Sequence, residues 1–452
     1  MCLRYAVKIR ETGGRVAALI RESFKDWVMN LILSRKTNRL AILFALALLV
    51  SSPALADGVM RGYATPHYTI YSQLSDENTW DIAHRLEAMH AYYAARFSNV
   101  YRPSNKPKRV FLYNNREDFV AAGGHPTMPG QSMGTFDGQG PKLMMIFNED
   151  SIGAFMSSCP LLYHEGFHQF TATEIMGNSR RQWPLWLDEA YATTFNNITW
   201  TGDGWVNGHI RMEYAVSVIS SAGSFIPMRN LLGISSRSWH RLTSQGRIWP
   251  IYMQGMMLVH FLHYADDGKY RPLIDEYVKQ VSNGEDSTET IKKILGLQAE
   301  FDEWFRANAD PHMTAGKYYE ILTAMITSHV ARAHACGQKF ASGKDFMNKA
   351  RRNRLKMPSH DSPNWLPDTL RQELLFYHSM LRESHNPFDI EITYPEGGGT
   401  PMVRVYQPRF ALELQGNFEL DSDGKVANVA VKYTKCVSLN LAEAKRVLGV
   451  LD

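Results

Sequence analysis

One short segment of the chain combines residue types and spacing that suit metal chemistry, His164-Glu165-Gly166-Phe167-His168. On a helix, residues i and i+4 lie on one face, a turn apart. Two imidazoles so placed can meet at a single divalent cation, and zinc takes histidine nitrogens at about 2.0–2.1 Å. Glu165 directly follows the first histidine, so its carboxylate stands beside the cation instead of binding it. From there it can take a proton from a water whose pKa the metal has lowered. A catalytic zinc site needs a third protein ligand. Trp186-Leu187-Asp188-Glu189-Ala190-Tyr191-Ala192 offers one, with Glu189 placed 21 residues after His168 on an apolar, helix-forming stretch. Two histidines and this carboxylate form a set that leaves one position open. Asp188 is the competing acid, and its other available role is to orient one imidazole from behind.

A group facing the cation from across the substrate carbonyl would complete such a site. Tyr252, 63 residues after Glu189, is the candidate for that proton donor or oxyanion stabiliser. Its alternative reading is a core tyrosine on an apolar helix. His260 and His263 on the same stretch have no acid at a suitable spacing and read as packed or surface histidines. The neighbouring Met256-Met257 pair reads as core.

The elements that must position these residues are legible in outline. A strand is expected over His67–Ser72, a helix over Asn78–Phe97 with Ile82, Leu86, Met89 and Tyr93 on one face, and a strand over Arg109–Tyr113. A short helix around Glu117–Ala121 follows, then a Gly- and Pro-rich loop over Gly123–Gly140, then a strand over Leu143–Phe147. That last strand is expected to be the sheet edge on which an extended peptide pairs. The metal helix is expected to start with Ser158 or Cys159 as cap and Pro160 in its first turn. A second helix begins near Trp186, and helices dominate to about Ala309. Asp310-Pro311 marks a boundary, since the residue before proline is pushed out of helical conformation. Beyond it, helices over Ala315–Arg351 and Pro367–Ser384 precede strands over Val403–Tyr406, Phe410–Leu420 and Val426–Val437.

With 452 residues, 44% of them hydrophobic and 12% aromatic, the chain can bury more than one core. The formal charge of +4 is unevenly placed. Residues 1–56 hold 9 of the 49 Lys and Arg but 3 of the 45 Asp and Glu, leaving 57–452 near neutrality at −2. Nothing in that balance points to nucleic acid. Arg35, Lys36 and Arg39, the apolar run Leu40–Val50 and the Ala54-Leu55-Ala56 site form an export-signal pattern with cleavage after Ala56. Eleven strongly apolar residues fall short of the roughly 20 needed to span a bilayer, so no stable membrane span is expected after cleavage. Met29 is a plausible true start of that signal. The expected location is the periplasm or the extracellular medium, where Cys336 and Cys436 can pair; the alternative is two separate buried thiols. Cys159 reads as a buried thiol near a helix start. No cysteine cluster has zinc spacing.

The pair of motifs, HEGFH and then WLDEAYA, resembles the gluzincin clan of zinc metallopeptidases, whose second motif commonly reads W-L-x-E-G-x-A. The closer likeness is to the peptidase MA-like family, formerly a domain of unknown function. It covers about residues 65–308, including HYTIYS, RVFLYNNREDF, GTFDGQGPKLMMI and YMQGMMLVHFL. The resemblance implies an α+β, zincin-like catalytic domain, with a small mixed sheet, the active-site helix and a helical subdomain. It implies one Zn²⁺ held by His164, His168 and Glu189, Glu165 as base, and a peptide or protein substrate. Two positions depart from the pattern: Ala190 replaces the clan's usual glycine, and Gly166 lies inside the metal helix. The expected organisation is a signal region 1–56, a peptidase domain 57–309 and a C-terminal α+β domain 310–452 outside the likeness. Two other functions fit the same residues, an amidase acting on cell-wall cross-links and a non-hydrolytic zinc-containing envelope protein. An intact Glu165 argues against the last.

Overall fold

The computed structural model describes residues 60–133, 140–177, 182–206, 226–245, 247–308, 315–359, 362–383, 387–408 and 411–435. The expected signal, Met29, the boundary at Asp310-Pro311 and Cys436 lie outside the described residues.

The first sheet is built from alternating apolar strands. Tyr68–Ser72 (β2) and Lys108–Tyr113 (β3) run parallel, and Lys142–Ile146 (β5) lies parallel on the far side of β3. Arg61–Ala64 (β1) pairs antiparallel with β2, and Gly130–Met133 (β4) pairs antiparallel with β5. The order β1-β2-β3-β5-β4 corrects one expectation. The strand over Leu143–Phe147 is interior, and β4 is the outermost strand on that side. β4 was concealed because Gly-Gln-Ser-Met has no apolar alternation and sits in a Gly- and Pro-rich stretch. Short edge strands of this kind are a common way to blunt a sheet edge. Gln131 pins the preceding loop, accepting from the His125 N–H (3.0 Å) and donating to the Gly123 carbonyl (3.1 Å).

Two long helices pack across this sheet. Asp76–Arg96 (α1) starts at Ser75, whose hydroxyl accepts from the Asn78 N–H, and buries Ile82, Leu86, Met89 and Tyr93. Arg116–Ala121 (α2) is the short helix after β3. The helix that carries His164 and His168, Ile152–Phe170 (α3), begins earlier than the sequence suggested. Ser151 is its cap, so Pro160 lies in the interior and supplies no N–H to the carbonyl four residues back. Earlier in the same stretch, Ser157 and Ser158 turn their hydroxyls onto the Ala154 carbonyl (2.8 and 3.4 Å), bonds that compete with the ladder there. A π turn at Thr171–Ile175 ends α3.

Leu185–Phe195 (α4) packs on α3, and Trp249–Tyr264 (α7) packs on α4. Between them lie the hairpin of Thr199–Trp200 (β6) and Trp205–Val206 (β7) and the helices Met228–Leu232 (α5) and Ser236–Ser244 (α6). Arg271–Asn283 (α8), Thr288–Leu295 (α9) and Gln298–Asn308 (α10) close this part. Its apolar core runs from Tyr63 to Phe305 and includes Met256 and Met257.

A second core belongs to Ala315–Ala335 (α11), Gly343–Arg351 (α12), Asp368–Glu383 (α13) and an antiparallel sheet. That sheet has the order β11-β10-β9-β8, formed by Asp389–Thr393 (β8), Met402–Gln407 (β9), Leu412–Leu420 (β10) and Val426–Lys435 (β11). The long helix expected over Ala315–Arg351 is interrupted at Gly337 (φ 72°), where the left-handed conformation suits glycine. β8 was not expected. The protein is α+β, and its described residues form two large apolar cores and a small cluster of Tyr113, Phe119 and Met144. Trp200 and Val206 of the β6–β7 hairpin belong to the second core although their neighbours in sequence belong to the first. The bidentate pair between Arg332 and Asp203 fastens that hairpin to α11. No helix among the described residues is long and apolar enough to cross a membrane.

Candidate metal centre

The position of α3 is fixed before any metal is considered. Phe167 and Phe170 are fully buried, and burial of such a side chain contributes about 1.5–3 kcal/mol. Gln169 Nε2 donates to the carbonyls of Arg109 and Pro141, both at 2.9 Å, tying the helix to the start of β3 and β5. The Tyr93 hydroxyl donates to the Tyr163 carbonyl at 2.6 Å, tying it to α1. Gly166 has a packing role as well. A Cβ there would lie 2.5 Å from Met89 Cε, so the bare backbone lets α1 approach α3. The other departure from the family pattern is accommodated similarly. Ala190 faces Gly255 of α7, where an added Cβ would stand 3.2 Å from the alanine methyl. The space that a glycine would leave on α4 is taken from α7.

On this frame His164, His168 and Glu189 come together. The Nε2 atoms of the two histidines are 3.1 Å apart, and Glu189 Oε2 lies 3.4 Å from His164 Nε2 and 3.5 Å from His168 Nε2. Three ligands at tetrahedral angles around a cation, each at about 2.0–2.1 Å, would be about 3.3 Å apart. The spacing thus fits a zinc-sized ion. Glu189 Oε2 is buried with no hydrogen-bond partner, so the atom aimed at the shared point is not otherwise engaged. Asp188 takes the orienting role, with Oδ2 2.8 Å from His168 Nδ1. That contact leaves Nε2 of His168 facing the other two ligands. The two acids divide by position on α4, adjacent residues pointing about a quarter-turn apart.

The charges in this group are strongly coupled. Burial alone would raise the Glu189 carboxyl, but His168 and His164 hold it far below its ordinary value. Burial alone would lower His168, and Asp188 with Glu189 outweigh it and raise it. Glu165 is buried on α3 next to His164. Tyr252 lies at the same site, its ring centroid 6.2 Å from that of His164. Burial pushes its phenol well above the ordinary value, and Glu189 and Glu165 add to the shift. Tyr252 therefore stays a hydrogen-bond donor at any physiological pH. Trp239 of α6 stands edge-on to it at 5.0 Å. No local pattern marks Trp239, which sits in a polar stretch and reaches the site only through the fold.

His260 and His263 lie elsewhere. His263 is buried and hydrogen-bonded to the Tyr191 hydroxyl at 2.8 Å, while His260 packs against Trp304 and Tyr264. Cys159 is a buried thiol in mid-helix, and Cys336 is exposed.

A second group of the same composition, His67, Glu87 and His90, also brings its ligand atoms within 4.8 Å of one another. Its bonding is different. Glu87 accepts from both the backbone N–H (2.9 Å) and Nδ1 (2.6 Å) of His67. The two imidazoles stack face to face at 3.8 Å, so they do not converge edge-on at a point. Burial depresses the pKa of His90; Glu174 opposes that, and the buried ammonium of Lys108, paired with Glu174 at 2.6 Å, adds to it. A cation already occupies this neighbourhood. Searches of protein-family models and of curated proteins found no match to the chain.

Proposed function

We propose that the chain is a zinc-dependent hydrolase of peptide bonds, of the gluzincin clan and closest to the peptidase MA-like family. The observation carrying this reading is the convergence of His164, His168 and the otherwise unbonded Glu189 Oε2, with Asp188 behind His168. Zinc held there would acidify a water and polarise a carbonyl. Glu165 accepts the proton of the attacking water and passes it to the leaving amine. The Tyr252 hydroxyl donates to the oxygen on which charge develops. The backbone of β4, outermost in the sheet and packed against α3, supports pairing with an extended peptide. The export pattern ending at Ala56 favours a periplasmic or secreted enzyme, with the region after about residue 310 as a separate domain.

The test is Glu165→Gln in the purified protein. One zinc per chain is expected in both forms, with peptide hydrolysis reduced in the variant by about 10³-fold or more, at the upper end of general-base effects. Equal hydrolysis by the variant would overturn the catalytic reading. Zinc-loaded protein with no activity on peptides but with release of fragments from isolated cell wall would move the substrate to the amidase class.

A further inference from the structure

The surface beside Tyr252 carries charge of one sign. Between Ile226 and Ala265 the sequence has no Asp or Glu, although the whole chain has 45 among 452 residues. The same stretch holds Arg229 on α5, Arg237 and Arg241 on α6, and Arg247 before α7, all four exposed. Cations on other exposed helices stand beside an acid one turn away, Arg271 by Asp275, Lys279 by Glu276 and Lys292 by Glu289. Among the described residues none of these four arginines has such a partner.

Two of the charges oppose the helix that carries them. Arg237 and Arg241 are like charges at i and i+4, a destabilising pair. Arg237 also lies in the first turn of α6, where the helix dipole disfavours a cation. Both costs are offset once an anion from outside sits on this face.

The face leads into the metal site. Between α5, α6 and the start of α7 lies an open hollow of about 370 Å³, lined by Arg229, Ser238, Leu242 and Ile251 among others. Successive residues turn by about 100° round a helix, so α6 presents three neighbouring rows. Arg237 and Arg241 form the first, and Ser238 and Leu242, lining the hollow, form the second. Trp239 is the third, edge-on to Tyr252 at 5.0 Å. The hollow thus lies between the arginine row and the aromatic contact with Tyr252. It can take one side chain of a bound peptide, while carboxylates on either side reach the forked donors of the arginines. A flat lipid surface has no group to place in such a hollow.

We propose that the α5–α6 face binds an acidic peptide segment, with its carboxylates on Arg229, Arg237 and Arg241. Calling that peptide the substrate rests on the hydrolytic reading above, whereas the binding itself does not.

Fluorescence anisotropy on the purified Glu165→Gln protein, with zinc added so that the peptide is held but not cut, tests this. The probes are labelled peptides of equal length, with one apolar centre flanked by glutamates, by glutamines or by lysines. The glutamate peptide is expected to bind about tenfold or more tighter than the glutamine peptide at low ionic strength, the gap narrowing as salt is added. The triple variant Arg229→Gln, Arg237→Gln, Arg241→Gln should close most of that gap and leave the glutamine peptide unchanged. Removing three exposed cations around the second core, by Lys344→Gln, Arg352→Gln and Lys432→Gln, should leave the gap open. Arg237→Glu with Arg241→Glu should make the lysine peptide bind tighter than the glutamate peptide. The proposal is overturned if the glutamate and glutamine peptides bind alike. It is equally overturned if the first triple variant leaves the gap as it was, or if the second closes it as far. Absence of saturable glutamate-peptide binding at millimolar concentration overturns it too, and arginine-dependent binding to phosphatidylglycerol vesicles would then make the face a membrane contact. The hydrolytic reading fails separately. Protein with Glu165 intact that cuts none of the three peptides, yet binds the glutamate peptide through these arginines, has an acidic partner and not an acidic substrate.

Discussion

Among the described residues there are two groups of two histidines and a glutamate, and one of the two is arranged like a metal site. In the His164–His168–Glu189 group the polar atoms point inwards at distances of 3.1–3.5 Å, and one carboxylate oxygen lacks any other partner. In the His67–Glu87–His90 group the carboxylate is used by His67, the rings stack, and the Lys108 ammonium lies close by. Composition and proximity are the same. What differs is whether the carboxylate's lone pairs already have donors, for His90 Nε2 of the second group is likewise buried with no hydrogen-bond partner. A buried acceptor with no donor is costly, and the cost is removed when a cation binds. A buried acceptor already saturated by hydrogen bonds gains little from one.

The largest expected effect separates the two groups directly. Replacing both His164 and His168 by alanine should abolish stoichiometric zinc, measured by elemental analysis after dialysis. Replacing both His67 and His90 should leave it at one per chain. Zinc retained in the first double variant and lost in the second would reverse the assignment.

The second group should instead reveal itself in stability. Glu174 and Lys108 are almost fully buried, and breaking such a pair costs about 3–5 kcal/mol. Glu174→Gln should therefore lower the thermal midpoint at neutral pH with no change in zinc. Its pH dependence has a definite sign. Burial alone would raise the Glu174 carboxyl, but His90, Lys108 and the Ser104 N–H bring it down from 4.5 to about 2. A depressed folded value means that the stabilisation is fully present above the ordinary value. It is lost as the pH falls from about 4.5 towards 2. Between those limits the wild type should lose more of its thermal midpoint than the glutamine variant. Parallel curves for the two proteins would show that Glu174 is not the titrating group.

How far this contrast was visible in the sequence follows from the range of the interactions. His164 and His168 were legible because their relation is one helical turn, and Glu189 because it sits in a short motif on the next helix. Asp188 could be placed in either of two roles, since adjacent positions on α4 differ only in direction. The contact of Tyr252 with the site depended on α7 crossing α4 at Gly255, which no local pattern encodes. β4 was hidden by its lack of apolar alternation, and the start of α3 by a proline that usually marks a first turn. Asp81 and Arg85 look like an ordinary surface i,i+4 pair. Only the arrival of α13, nearly three hundred residues later, buries them with Glu373. What was missed is long-range, and what was legible is mostly local.

A smaller effect tests the orienting contact within the metal group. Asp188→Asn keeps the shape but removes the charge behind His168, and changes of this kind typically cost about 10–100-fold in metal affinity. Competition with a chromogenic chelator would read it. Glu189→Ala should weaken the metal further than Asp188→Asn does. The opposite order would make Asp188 the ligand and Glu189 the support.

The smallest expected effect lies on the seam that joins the two groups, since Met89 precedes His90 on α1 and Gly166 sits between the ligands on α3. Alanine at 166 gains about 1 kcal/mol of helix propensity. Its methyl would also meet Met89 Cε at 2.5 Å and Sδ at 2.8 Å, and overpacking costs about 1–3 kcal/mol. Methionine is flexible and can yield part of that. The balance for Gly166→Ala is a net loss of about 1 kcal/mol, read by denaturant unfolding of the metal-free protein. In a Met89→Ala background the clash is gone and the helix gain remains, so the same substitution should become stabilising. A sign that does not change would mean that Met89 is not what holds position 166 to glycine. The close approach of α1 to α3 would then need another cause.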